Sequence, residues 1–369
     1  MNQLFRWDQM GLFLLALAAG ILPFAVPEVC AAALREGLTL CSGPLLLSLF
    51  PFLVVSRLLV QCPESDLLAL PFRLAAWGIG IRTPCAARVL CIGFLGGFAP
   101  AASAAAQAVR TGQLTVEEAD ALLPACICSG PSFVVLTVGQ SLLGSAELGV
   151  LLFASQITAN YLTAALLNRF AGVRSVKPGS AAPASPAPPR LDEILADAAI
   201  TYCKLCGFIL FFRMLAAGAG ALLPAGAGTL CSVLLEVCSG CDLASRTGRW
   251  GSLLCCAALS VQGLSVLLQV RTICPPEMTL RPLYRARMLH LPLSLALFYL
   301  LLPGGEADVF STLPARVLLM RRVPPDCALL VFAVCCMAAC TLRSGIRQVE
   351  QKQMARNAGG CCINSKTLL

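Results

Sequence analysis

The chain has 369 residues, 58% of them hydrophobic and 12% charged, with a formal net charge of +8 and a mean hydropathy of +0.81. A soluble domain carries about 25% charged residues, so this composition excludes an ordinary soluble enzyme and fits an all-α, multi-pass membrane protein whose function lies within the bilayer. The basic residues are spread over loops and termini and form no stripe on one element, which argues against a nucleic-acid partner.

In chain order, residues 1–27 hold a first transmembrane helix, GLFLLALAAGILPFAV, with no cleavage site leading into a soluble mature region. The first half of the protein covers 28–170. It opens with a stretch over 28–43 in which Glu28, Arg35 and Glu36 mix with apolar residues at helical spacing, as in an interfacial amphipathic helix. A span, PLLLSLFPFLVVSRLLV, then carries Arg57. The central stretch from Cys91 to Gly139 contains two apolar segments, one broken at Gly96, Gly97 and Pro100 and the other at Ser129, Gly130 and Pro131. Unwound backbone is tolerated in lipid only where it is buried in protein or lines a cavity, so these breaks predict half of a transport site. Pro131 suits the first position of a half-helix, leaving the N–H groups of Ser132 and Phe133 free to face an anion. In the following span Gln156 and Asn160 lie one turn apart and are expected to hydrogen-bond neighbouring helices.

Residues 171–190, rich in proline and small residues, read as a flexible linker between halves. With four Lys/Arg and no acids from Arg169 to Arg190, this segment is placed on the cytoplasmic side, together with the basic tail over 343–369. The loop with Glu117, Glu118 and Asp120 is then expected on the other side. The second half covers 191–303. Its span CGFILFFRMLAAGAGALL carries Arg213, and FILFFRML aligns with FLVVSRLL of the first half, setting Arg213 opposite Arg57. A looser match sets Gly263 against Gly97 and Arg271-Thr272 against Arg110-Thr111. Such self-similarity predicts repeated, inverted halves with discontinuous or re-entrant helices meeting at a midplane site. A basic loop (Arg281, Arg285, Arg287), a span from Leu291 to Leu302, and an irregular segment with a last transmembrane helix over 304–342 complete the chain.

The candidate site residues follow from their chemistry. Arg213, deep in its span, needs a cavity or a partner such as Glu236, while Arg57 lies near a span end and can snorkel. Both offer a planar fork of donors that suits carboxylates. Glu236 reads as a counter-ion for Arg213 or as a proton-coupling group, and Gln262 and Gln269 as partners for unwound backbone. The 21 cysteines lie mostly in apolar runs and read as small hydrophobes without structural disulfides. Cys238-x-x-Cys241 lacks a second ligand pair, and no cofactor, metal or enzyme motif is present.

The stretch GFLGGFAPAASAAAQAVRTGQLTVEEADALLPACICSGPSFVVLTVG resembles the first signature of the YlbJ/SpoVV-type sporulation membrane proteins, which carry the nucleoside-recognition or Gate domain. Gly93, Phe94, Leu95, Gly97, Ser129, Gly130, Pro131, Phe133, Val138 and Gly139 carry the match. LLEVCSG (Glu236, Gly240), LSVQGLSVLLQV (Gln262, Gly263, Gln269) and TLRPLYRARMLH (Arg287, His290) extend it. Ile127 and Cys128 depart from the family's asparagines, and Leu267 from its histidine. The resemblance implies an architecture like that of concentrative nucleoside transporters and translocation of a small organic anion, dipicolinic acid, across the mother-cell-derived outer forespore membrane. A nucleoside or nucleobase transporter and a non-transporting scaffold or gating subunit are the alternatives. A homo-oligomeric state is left open.

Overall fold

The computed structural model describes residues 2–61, 66–172 and 191–302, and all regular structure among them is helical. Ala171 and Gly172 of the expected linker (171–190) close a helix, and its remaining residues, the irregular segment with the last transmembrane helix (304–342) and the tail (343–369) lie outside the described residues. Three helical stretches are long and apolar enough to cross a membrane: Ala146–Ala171, Leu191–Leu222 and Gly248–Ile273. A fourth arises if the pair Phe13–Ala25 and Pro27–Ser42, bent by 111°, is one span.

Helices α1 (Asn2–Ala25) and α2 (Pro27–Ser42) meet at that bend, where Pro27 sits in the first turn of α2 and loses nothing by its missing N–H. The buried face of α2 is Cys30, Ala33, Gly37 and Cys41, a helical stripe of small residues. It lies on α9 (Leu191–Leu222), with Gly37 against Leu210 and the Tyr202 hydroxyl bonded to Cys41 O. Then follow α3 (Pro44–Gln61) and the short α4 (Leu70–Gly78).

Next come α5 (Pro84–Gly96) and α6 (Phe98–Arg110), which fold back on each other about Gly97. A Cβ at Gly93 would lie 3.2 Å from the Ala101 Cβ, four residues on the other side of the turn. Pro100, expected as part of this break, stands inside α6. Helix α7 (Val116–Cys126) starts with a capping box, in which Thr115 Oγ1 accepts from Glu118 N at 3.1 Å and Glu118 Oε2 accepts from Thr115 N at 3.2 Å. It unwinds at 127–130 and resumes as a π-helical segment, Ser132–Leu142. Helix α8 (Ala146–Ala171), capped by Ser145 and ended by left-handed Gly172, runs back along both pieces. Gly149 of α8 abuts Gly139, Asn160 Nδ2 donates to Ile127 O at 3.3 Å, and Asn168 Nδ2 donates to Ala121 O at 3.1 Å. This ladder sets α7 and the π-helical segment end to end along α8, as one interrupted helical stretch.

After α9, the second half continues with another fold-back. Helices α10 (Ala225–Leu235) and α11 (Val237–Ser245) fold back about Glu236, with Gly240 against Val233. Helices α12 (Gly251–Val261) and α13 (Gly263–Ile273) form a traverse interrupted at Gln262. Helix α14 (Arg281–Leu301) returns along α12, with Cys256 Sγ 3.6 Å from Ser294 O. Arg287 was expected in a basic loop, yet it lies inside α14 and is buried, because the helix starts at Arg281 with Pro282 in its first turn. In chain order a fold-back tip, at Gly97 and then at Glu236, precedes an interrupted helix, at 127–130 and then at Gln262.

The ladder also corrects the placement of the acidic loop. Helix α8 is about 39 Å long at 1.5 Å per residue, and its Asn168 end reaches Ala121. The loop preceding α7 and the Gly172 end of α8 therefore share one face. Two of the acids, Glu118 and Asp120, lie inside α7 and are used internally. Glu118 accepts from Thr83 Oγ1 at 2.5 Å, and Asp120 accepts from Thr279 N, Thr279 Oγ1 and Leu280 N, holding Leu280 at φ +54°. Epitope tags inserted after Gly112 and after Gly172 are expected to become accessible from the same side of the membrane, and a tag after Gly144 from the opposite side. Tags after Gly112 and Gly172 on opposite sides would contradict the ladder.

Candidate functional site

The two fold-back tips each press into the break of a traverse. At Gly97 (φ +81°) an added Cβ would stand 2.6 Å from Gly130 N, 2.9 Å from Gly130 Cα and 3.2 Å from Cys128 O. Both glycines are there because backbone crosses backbone. Pro131 takes the first helical position after the crossing, with φ −60° and ψ −35°. The amides of Ser132 and Phe133 thereby fall at a helix start, where N–H groups have no intrahelical acceptor. The first bonded N–H is that of Val134, to Gly130 O at 3.0 Å.

At the second crossing, Gly263 (φ +67°) meets the tip at Glu236, where an added Cβ would lie 3.0 Å from Glu236 N. Gln262 beside it holds φ +64°, a left-handed conformation that costs a side-chain-bearing residue about 1–3 kcal/mol and gathers at functional sites. Glu236 is extended and caps α11 with its own carboxylate, accepting from Cys238 N at 2.8 Å and Ser239 N at 2.7 Å. A carboxylate at a helix N-terminus is favoured by both the free N–H groups and the dipole.

The crossings face each other across a cavity of ≈ 50 Å³. Ser129, Gly130 and Ser132 line it from one side, Glu236 and Gln269 from the other, and Phe98 and Val266 close it. Five of the residues picked from sequence thus meet around one space. Gly97, Pro131, Gln262 and Gly263 shape the backbone behind it. Gln269 donates to Ser265 Oγ at 2.8 Å, and among the described residues its Oε1 and that of Gln262 are buried without a partner, with neither glutamine bonded to the unwound backbone.

The two arginines lie elsewhere. Arg213 pairs with Glu36 of α2 at 2.7 Å, not with Glu236, because α2 packs along α9 and brings its own acid to the guanidinium. Arg57 pairs with Asp197 of α9 at 2.5 Å and lines a separate cavity between α3, α6, α9 and α13. The cavity at the crossings is lined by one carboxylate, hydroxyls, an amide and backbone, with no cation among its lining residues. It can hold hydrogen-bonding groups or a small cation directly.

Behind the breaks runs a polar seam between α8 and α14. Arg287 Nη2 donates to Ile127 O at 2.5 Å and its Nη1 to Ser260 O at 3.4 Å, tying the unwound backbone of one traverse to the end of α12 beside the other break. Gln156 Nε2 donates to Ser260 Oγ at 2.9 Å and to Cys256 O at 3.2 Å, and His290 Nε2 lies 3.2 Å from Gln156 O. Gln156 and Asn160 thus bond neighbouring helices as expected. Arg287 was missed as a site residue. Its signal was the polar series Arg287, His290, Ser294 on one helical face of an apolar run. Among the described residues no group of three His, Cys, Asp or Glu gathers as a metal-ligand set, and the cysteines, including Cys238 and Cys241, are free thiols.

No protein-family model, curated protein or solved structure matches this chain.

Proposed function

We propose that this chain is a membrane transporter that moves a small organic anion by rearrangement of its two crossed breaks. The observation that carries this reading is the cavity between Ser129-Gly130 and Glu236, where two fold-back tips meet two interrupted traverses deep among apolar helices. Interrupted helices at corresponding places are how transporters expose backbone to a ligand without exposing it to lipid. Each half runs fold-back, broken traverse, return helix, and the two fold-backs enter from opposite faces, which supports an inverted repeat with re-entrant hairpins. The substrate follows from the family resemblance: dipicolinate, moved across the outer forespore membrane during sporulation.

One observation favours a second reading. The cavity has no cation among its lining residues, and its hydroxyls and amide would suit a neutral nucleoside with Glu236 coordinating a coupling ion. Uptake of labelled dipicolinate into proteoliposomes, with uridine as competitor, decides between them. Dipicolinate uptake indifferent to uridine, and lost in Glu236→Gln and Ser129→Val, is the expected result. Uridine uptake without dipicolinate uptake would replace the anion by a nucleoside, and movement of neither would favour a scaffold subunit.

A further inference from the structure

We propose that Arg57, Arg110 and Lys204 form an anion-loading pocket, separate from the crossings, that takes a small dianion carrying two carboxylate or phosphate charges. The pocket encloses ≈ 160 Å³, against ≈ 50 Å³ at the crossings. Its lining holds three cations and one carboxylate, Asp197. That carboxylate bonds Arg57 Nη1 at 2.5 Å, while Arg57 Nε is buried without an acceptor. Arg110 and Lys204 make no ion pair among the described residues. The hydroxyls of Ser103 and Thr272 complete the polar lining. Three cations and one carboxylate leave the lining with a net charge of two, which a bound dianion neutralises and a monoanion does not. Guanidinium and ammonium donors make their strongest hydrogen bonds to anionic oxygen.

Position turns this binding site into a loading site. Along α6, Phe98 lines the cavity at the crossings, while Ser103 and Arg110 line the cationic pocket. Along α13, Gln269 lines the first and Thr272 the second. At 1.5 Å per residue these offsets put the nearest lining residues of the two cavities roughly 5–8 Å apart along α6 and α13. An apolar layer separates them: Leu53, Ala99, Tyr202 and Leu205 form one cluster, with Phe98 and Ile273 packed on it. An anion held at the pocket thus waits one apolar layer from the crossings. The loading role rests on the transport reading above; anion binding does not.

The test is calorimetric titration of the purified full chain in phosphatidylcholine nanodiscs. Dipicolinate supplies two carboxylates and picolinate one on the same ring. Dipicolinate is expected to bind at least about tenfold more tightly than picolinate. Arg110→Gln and Lys204→Gln, both exposed and expected to fold, are each expected to weaken it about tenfold, the size of one charge-assisted hydrogen bond. Arg249→Gln, which removes a charge elsewhere, is expected to change it by less than about twofold. No binding to the parent, or equal binding by parent and both variants, overturns the proposal. Repeating the titration with phosphatidylglycerol in the nanodiscs separates the sources. Persistent binding identifies a free anion as occupant, whereas loss of binding assigns the pocket to a lipid headgroup and overturns the loading role. Variant-sensitive binding without uptake would remove the transport reading and leave the site, while uptake unaffected by either variant would remove the loading role and leave transport.

Discussion

Gly97→Ala is expected to lower the unfolding free energy by about 2–6 kcal/mol, the sum of a positive-φ backbone penalty of about 1–3 kcal/mol and an overpacking cost of about 1–3 kcal/mol. The backbone term follows from φ +81° and ψ −162°, a conformation essentially confined to glycine. The packing term follows from the Gly130 N atom that would lie 2.6 Å from the new Cβ. Main chain cannot rotate aside as a side chain tip can, and shifting Gly130 would disturb the start of the π-helical segment. Gly144→Ala measures a positive-φ cost free of packing, since Gly144 has φ +75° with nothing within 4 Å of an added Cβ. It is expected to cost only the backbone term. Thermal unfolding of the two variants in detergent, followed by intrinsic fluorescence, reads the difference. Equal shifts would mean that Gly97 and Gly130 do not cross. Because the same contact brings the tip into the break, Gly97→Ala is also expected to abolish uptake in whatever fraction still folds.

The breaks were legible in the sequence because lipid leaves few uses for Gly, Ser and Pro in the middle of apolar runs. Gly97 and the 129–131 stretch were therefore readable from residue type alone. Glu236 and Gln262 announced themselves as polar groups in the same setting. Pairing was much less legible. Arg213 and Glu236 stand in successive elements and looked like natural partners, but α2, whose small-residue stripe packs on α9, delivers Glu36 to the guanidinium. A contact set by a helix about 175 residues away leaves no local trace. Gly97 and Gly263, which the sequence match set against each other, are both positive-φ glycines at crossings, one at a fold-back tip and the other at the start of a half-helix. The acidic loop was misplaced because Glu118 and Asp120 cap neighbouring elements. Charges used internally say nothing about the side of the membrane.

Arg287 and Asn160 are expected to be coupled through a single carbonyl. Arg287 Nη2 and Asn160 Nδ2 both donate to Ile127 O, at 2.5 and 3.3 Å, in backbone that has left the helical ladder and has no other use for that oxygen. Arg287→Met keeps most of the volume and removes one donor. It also removes a buried charge with no carboxylate partner among the described residues, and relief of that desolvation offsets the lost bonds, so a net cost of about 1–2 kcal/mol is expected. Asn160→Leu leaves the stronger donor in place and is expected to cost a similar amount. Together they strand Ile127 O in an apolar interior, where an unsatisfied acceptor costs about 1–3 kcal/mol beyond the sum of the single changes. A double-mutant cycle on unfolding free energies measures this excess directly. Additivity within about 0.5 kcal/mol would show that the two side chains do not share the carbonyl. Arg287→Lys is not expected to restore the parent, because an ammonium offers no rigid fork to reach Ile127 O and Ser260 O together. If the seam holds both breaks in register for transport, uptake will fall in the order Asn160→Leu, Arg287→Met, double variant, tracking the donors left on Ile127 O rather than the charge.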